Sequence, residues 1–421
     1  MATASLADPG KTERVPTGLV AVAIAALPLL HPQGIGHFTL CDIFMGAAIV
    51  AFILWAGSNR SDIHVPYVVP MAILALTGML AALFGIDPGS GFLSVVQETF
   101  LLLWAATIAN LSRNPDNLDV ILGAWAWTAT AWATVLIGAV VTHQWWLAGV
   151  DSATGARGQL TFDNPNQAGI YFLISLFVVL LGRHPKGLAA RGFAITLLLG
   201  ALVVTGSNAA LLSLVIGGAA GALFAVWRKA DIVVTVGVGA LTAAFVVGAV
   251  YLSIQQGLFQ RIESSSNVFV ERSLARGPSS ATGRETLFSE ELNLYWNGSL
   301  LGRGPATTKS TLAASFGQIV KEAHDDYLAT LIERGPLGVV GLIILIGCIL
   351  VRAFSVAAGE LSRDFVRVIA RPWVIVAVVV ASLATALTHE ILHYRHVWAL
   401  LGVIAGLHLA QRKKIEAATS P

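Results

Sequence analysis

The sequence predicts an all-α, polytopic membrane protein of about twelve transmembrane helices. Three observations lead there. Of the 421 residues, 56% are hydrophobic and only 12% are charged, about half the charged share of a soluble globular protein. Apolar runs of about 20 residues, the length that crosses a bilayer, recur along the chain. Between these runs, connections rich in Lys and Arg alternate with connections that have almost none.

The candidate spans lie near 17–31, 38–57, 65–85, 92–110, 118–142, 167–182, 189–206, 209–227, 232–255, 337–355, 371–388 and 397–410. The first resembles a signal peptide, because Lys11 and Arg14 precede an apolar run from Gly18 to Leu30. No small-x-small cleavage site follows Leu30-His31-Pro32, so a retained span is expected. Pro28 and Pro70 fall inside spans, where a membrane bundle tolerates a kink. Cys41 and Cys348 both sit in apolar runs and read as small core residues, with no disulfide framework or Cys-based metal site.

Charge assigns the sides. Lys11/Arg14, Arg60, Arg113, Arg183/Lys186/Arg191, Arg228/Lys229, Arg352/Arg363/Arg367/Arg371 and Arg412/Lys413/Lys414 fall on one side. The connections at 31–37, 86–91 and 206–208 carry no Lys or Arg, and those at 143–166 and 389–396 carry only Arg157 and Arg395. The positive-inside rule then places both termini in the cytoplasm and the long polar insertion at 256–336 outside. The chain divides into transmembrane helices 1–9 at 1–255, the outer loop at 256–336, and helices 10–12 with a cytoplasmic tail at 337–421.

The insertion is where chemistry is expected. Within Thr282–Trp296 the residues Leu287, Phe288, Leu292, Leu294 and Trp296 recur at three- and four-residue spacing, which reads as an amphipathic helix on the membrane surface. Gly298–Pro305 is rich in turn residues. A further helix is expected from Ala323 to Arg334, closed by Gly335-Pro336.

Four constellations carry candidate residues. The first is His324-Asp325-Asp326-Tyr327-Leu328. On a helix, His324, Tyr327/Leu328 and Leu331 share a face. His324 accepts a proton near neutral pH, and Asp325 or Asp326 orients it. The bland alternative is an exposed histidine at a helix start beside two capping aspartates. The second is Arg284 and Arg303, in Gly283-Arg284 and Leu301-Gly302-Arg303-Gly304-Pro305. Guanidinium groups bind phosphate oxygens in pairs and stay charged at poorly hydrated sites. The third is Arg157, ahead of the Asn164-Pro165 turn, with Asn166 as the expected cap of the helix that follows. For both, ordinary surface pairing or a structural turn is the competing reading. The fourth is His389-Glu390-Ile391-Leu392-His393, which spells the zinc-protease motif. Its context is poor. It sits in a short connection, and the next acid, Glu416, lies in the tail. A hydrated His/Arg cluster is the preferred reading, with no metal.

The first three constellations, in this order and placement, resemble the O-antigen ligase and polymerase superfamily. The motifs that carry the likeness lie within about 150–340. The resemblance implies an inner-membrane glycosyltransferase with a periplasmic site. It implies a glycan donor on undecaprenyl pyrophosphate, membrane lipid as surroundings, no cofactor and no nucleic-acid partner. For a ligase the acceptor is a hydroxyl of lipid A–core. The nearest alternative is a polymerase that extends the lipid-linked glycan, and a membrane zinc protease is the alternative from another class. Under the resemblance His324 is the catalytic base. Arg284, Arg303 and Arg157 hold the pyrophosphate, with Asp325, Asp326 and Tyr327 in support. Two positions depart from the family pattern. Asp325 follows the histidine where Asn, Ser or Gln is usual. Asn208 stands where a donor-binding arginine is usual, so either Arg157, Arg276 or Arg303 covers that role or the donor site is altered.

Overall fold

The computed structural model describes residues 13–31, 38–150, 157–230, 234–235, 237, 239, 288–308, 311–312 and 325–419. Among them there is no strand. The helices, in chain order, are α1 (Arg14–Ala25), α2 (Leu40–Ser58), α3 (Val68–Phe84), α4 (Pro88–Leu111), α5 (Pro115–Val141) and α6 (Pro165–Leu181). After them come α7 (Leu188–Val204), α8 (Asn208–Trp227), α9 (Asp326–Ala358), α10 (Arg363–Val368), α11 (Val374–Ala386) and α12 (Arg395–Thr419). Residues 288–296 are helical as well. Every expected span except 232–255, which falls largely outside the described residues, overlaps one of these helices. Five (α2, α4, α5, α8 and α9) are long and apolar enough to cross a membrane, and α1, α3, α6, α7 and α11 are shorter and also apolar.

Local chemistry sets the helix starts. Asp87, Asn114 and Asn164 each accept a bond from an amide of the first turn, and a proline follows each of them at the first helical position. Proline there loses no helical bond and has its φ preset. Ser207 does the same for α8 without the proline, accepting from the Ala210 amide.

The loop contacts gather at two ends of the bundle. At one end His31 meets Asp163 at 3.0 Å, Arg157 reaches Thr205, and the Ile86 amide donates to the Arg303 carbonyl at 3.3 Å. At the other end the Asn110 side chain bonds the His64 backbone and His184 meets Asp119 at 2.8 Å. There, too, Arg228 and Gln411 donate to the carbonyls of Ala357 and Val356.

The core lies around α6, whose side chains from Pro165 to Leu181 are nearly all buried. The outer helices turn apolar side chains outward: Leu54 is 68% exposed and Phe84 72%. In water that surface would be a large apolar patch; in a bilayer it faces lipid. Without a hydrophobic drive between helices in lipid, small residues set their close packing. A Cβ on Gly217 would meet the Ala377 carbonyl oxygen of α11 at 2.4 Å, and one on Gly221 the Ala377 Cβ at 2.6 Å. Gly402 and Gly406 approach the Ala105 and Ala109 carbonyls of α4 in the same way.

Two carboxylates on apolar runs, Asp42 and Glu98, are paired with arginines from later in the chain. Arg395 donates to Asp42 from Nε at 2.6 Å and from Nη2 at 2.7 Å. Asp42 also takes the Thr39 amide and hydroxyl, both at 2.9 Å. Arg334 pairs with Glu98 and donates from Nη1 to the Leu74 carbonyl at 2.7 Å. A buried charge without a partner is costly, and breaking such a pair typically costs about 3–5 kcal/mol. Glu98→Ala should therefore lower the melting temperature of the detergent-solubilised protein sharply, and adding Arg334→Met should restore part of the loss. Independent, additive losses in the double variant would show that the two side chains are not coupled.

Candidate functional site

The site begins with a break in α9. Gly335 has φ 66° and ψ −173°, a region essentially reserved for glycine. Pro336, next to it, has no N–H, so the Ile332 carbonyl loses its helical partner. The kink likewise frees the Glu333 carbonyl. Both are taken up by another segment: the Arg303 amide donates to Ile332 O at 2.9 Å and the Gly304 amide to Glu333 O at 3.1 Å. The approach is tight enough that a Cβ on Gly302 would sit 2.3 Å from the Glu333 oxygen, and one on Gly335 2.1 Å from the Leu300 oxygen. The Leu301-Gly302-Arg303-Gly304-Pro305 turn and the Gly335-Pro336 break, two separate features in the sequence, are the two halves of one joint.

A second clamp holds the start of α9. Asp325 is its extended N-cap and accepts from the Leu328 amide. Asp326 points across to the connection after α11 and accepts from the Ile391 amide at 2.9 Å and the Leu392 amide at 3.3 Å. Tyr327 donates its hydroxyl to the Leu383 carbonyl of α11 at 3.2 Å. Burial pushes the Asp325 carboxyl above the usual carboxylate range, against the lowering effect of bonds from the Leu328 and Tyr327 amides.

Between the two clamps lies a cavity of about 220 Å3. Asp326, Thr330, Glu333 and Arg334 line it from α9, Ser94, Gln97 and Glu98 from α4, and Glu390 and His393 from the connection before α12. Glu333 accepts from the Thr308 hydroxyl at 2.8 Å.

The candidate residues fare differently. His324 and Arg284 lie outside the described residues, as does Arg276. The expected shared face of His324, Tyr327/Leu328 and Leu331 needs correction, because Asp325 is extended and the helix starts at Asp326. Arg303 turns its guanidinium onto the end of the 288–296 helix, donating to the Leu294 carbonyl at 3.2 Å and the Asn297 carbonyl at 3.4 Å. Arg157 is buried where α6, α7 and α8 meet: Nε donates to Thr205 O at 2.8 Å and Nη2 to Asn166 Oδ1 at 2.6 Å. It therefore sits at the same turn as Asn208. The zinc-protease letters at 389–393 do not form the required geometry, since 387–394 is turn rather than helix. Among the described residues no three acidic, His or Cys side chains are placed to hold a metal. Arg334 and Glu98 were not read as site residues; a charge at the mouth of a span was the available signal.

A helical bundle with an apolar outer surface, paired internal charges and a polar cavity at one end defines a multi-pass membrane protein. Residues 193–346 match the family model described as O-Antigen ligase. Over that stretch the match agrees with the resemblance that the motifs carried. It contains Arg284, Arg303, His324 and both sides of the joint at Gly335. No curated protein matches the chain.

Gly335→Ala forces a Cβ into the Leu300 carbonyl and into a forbidden backbone region, at a cost of roughly 1–3 kcal/mol. The variant should show a lowered melting temperature and weakened transferase function. Wild-type stability would mean that the joint is not rigid.

Proposed function

We propose that this protein is an O-antigen ligase of the bacterial inner membrane. It moves a finished glycan from undecaprenyl pyrophosphate to a hydroxyl of lipid A–core, on the periplasmic face, with both termini in the cytoplasm. The observation that carries this reading is the joint between the Gly-Arg-Gly-Pro turn and the α9 break. It fixes the segment just after His324 beside a polar cavity, within the stretch that matches the ligase family.

The chemistry follows from the residue types. His324 takes the proton of the acceptor hydroxyl as its oxygen attacks the anomeric carbon. The bond from that carbon to the phosphate oxygen breaks, the configuration inverts, and undecaprenyl pyrophosphate leaves. The proton on His324 makes an imidazolium. Asp325, a half-buried carboxylate next to it, gains from that charge and steadies it. The leaving group carries its negative charge onto guanidinium groups, which is how transfer proceeds without a metal ion. Arg284 is the first of these, with Arg303 and Arg157. The place of Arg157 beside the Asn208 turn supports giving it the task of the family arginine missing there. Asp326 and Tyr327 support the site by anchoring α9 to the 391–392 connection and to α11.

A general base contributes typically 10²–10⁴-fold. In a deletion strain complemented with His324→Ala, lipopolysaccharide gels should show bare core, with long glycan accumulating on undecaprenyl pyrophosphate. Core bearing a single repeat would instead identify a polymerase. A normal ladder would remove His324 from the mechanism.

A further inference from the structure

At the opposite end of the bundle lies a second cavity, of about 780 Å3. Three elements form it: the first turn of α5, the connection between α6 and α7, and the stretch from α10 to the elbow before α11. Five cations line it (Arg183, Lys186, Arg191, Arg367 and Arg371) against the acids Asp116, Asp119 and Asp364.

Three acids against five cations leave the lining net positive. Asp119 is held by His184 at 2.8 Å. Asp364 lies 3.8 Å from Arg367, one turn along the exposed α10. Arg371 and Arg183 both lie within coulombic range of Arg191, so that guanidinium is flanked by like charge. Two of the five cations are occupied by backbone. Arg183 donates from Nε and Nη2 to the Val366 carbonyl, at 3.2 and 3.0 Å. Arg191 donates through Nη2 to the final carbonyls of α6, those of Val179 and Gly182 at 2.5 Å. These bonds fix the two groups without cancelling their charge. The Nε–H of Arg191 is buried and has no acceptor among the described residues. Lys186 and Arg371 make no side-chain hydrogen bond or ion pair among the described residues. The start of α7 opens here too, with Gly187 as an N-cap that offers no side-chain acceptor, so its positive dipole end adds to the same field.

Basic residues on one side of a membrane protein are ordinary. Scattered ones face separate headgroups. Here they converge on one concave space, with a buried donor left unmatched, and that is the arrangement of an oxyanion site.

We propose that this cavity binds a phosphate group, with Lys186 and Arg371 as its direct ligands and Arg183 and Arg191 as fixed charges behind them. The source is an anionic phospholipid headgroup or a soluble phosphate. Native mass spectrometry and thermal unfolding of the full chain separate the two. The protein is exchanged into mixed micelles with phosphatidylglycerol or with phosphatidylcholine, and separately titrated with inorganic phosphate. A headgroup site retains phosphatidylglycerol over phosphatidylcholine, and the Lys186→Gln/Arg371→Gln variant loses that preference by roughly thirtyfold, the worth of two basic side chains. A soluble-phosphate site instead shows phosphate raising the melting temperature of the wild type and not of the variant. Arg371→Lys alone, which keeps the charge, should retain most of the binding. The proposal is overturned if wild type and double variant behave alike toward both ligands. It is also overturned if Arg371→Lys binds as poorly as Arg371→Gln while both keep the wild-type melting temperature.

Discussion

The ion pair between Glu98 and Arg334 joins α4, from the first half of the chain, to the last turn before the α9 break. In an apolar slab neither charge is tolerated alone, so the pair fixes where α9 passes α4. The Arg334 guanidinium also takes the Leu74 carbonyl of α3. A single buried side chain thus holds three helices at one point. Arg395 and Asp42 repeat the arrangement between α12 and α2.

On that frame the break at Gly335-Pro336 becomes useful. A straight helix would consume all its own carbonyls. This one frees two, and the 301–305 turn is built to receive them through the Arg303 and Gly304 amides. Asp326 then secures the other side, reaching the amides of Ile391 and Leu392. Short-range constraints meet around one small cavity. A glycosyl donor and an acceptor sugar need that kind of rigid seat, because orientation accounts for much of the barrier reduction in such a transfer.

Much of this was legible in the sequence. The helix expected after the Asn164-Pro165 turn is there, capped by Asn164 rather than Asn166. Periodicity could not show pairings between distant residues. Nothing local links Asp42 to Arg395 or Glu98 to Arg334. The roles of single arginines were equally hidden. Arg303 also braces the end of the 288–296 helix, and Arg157 is buried against Thr205 and Asn166, contacts that spacing alone does not show. The His-Glu-x-x-His letters at 389–393 failed for the converse reason, since a motif means its chemistry only on the element that motif needs.

The central claim is that the chain transfers a whole glycan from a lipid pyrophosphate to a second lipid-anchored sugar. The direct measurement uses purified protein in lipid nanodiscs with undecaprenyl-pyrophosphate glycan and lipid A–core, followed by mass spectrometry of both lipids. The account predicts one glycan added per lipid A–core, equimolar free undecaprenyl pyrophosphate, and no change in rate with a metal chelator. Lengthening of the glycan on its own lipid carrier, with lipid A–core untouched, would contradict it.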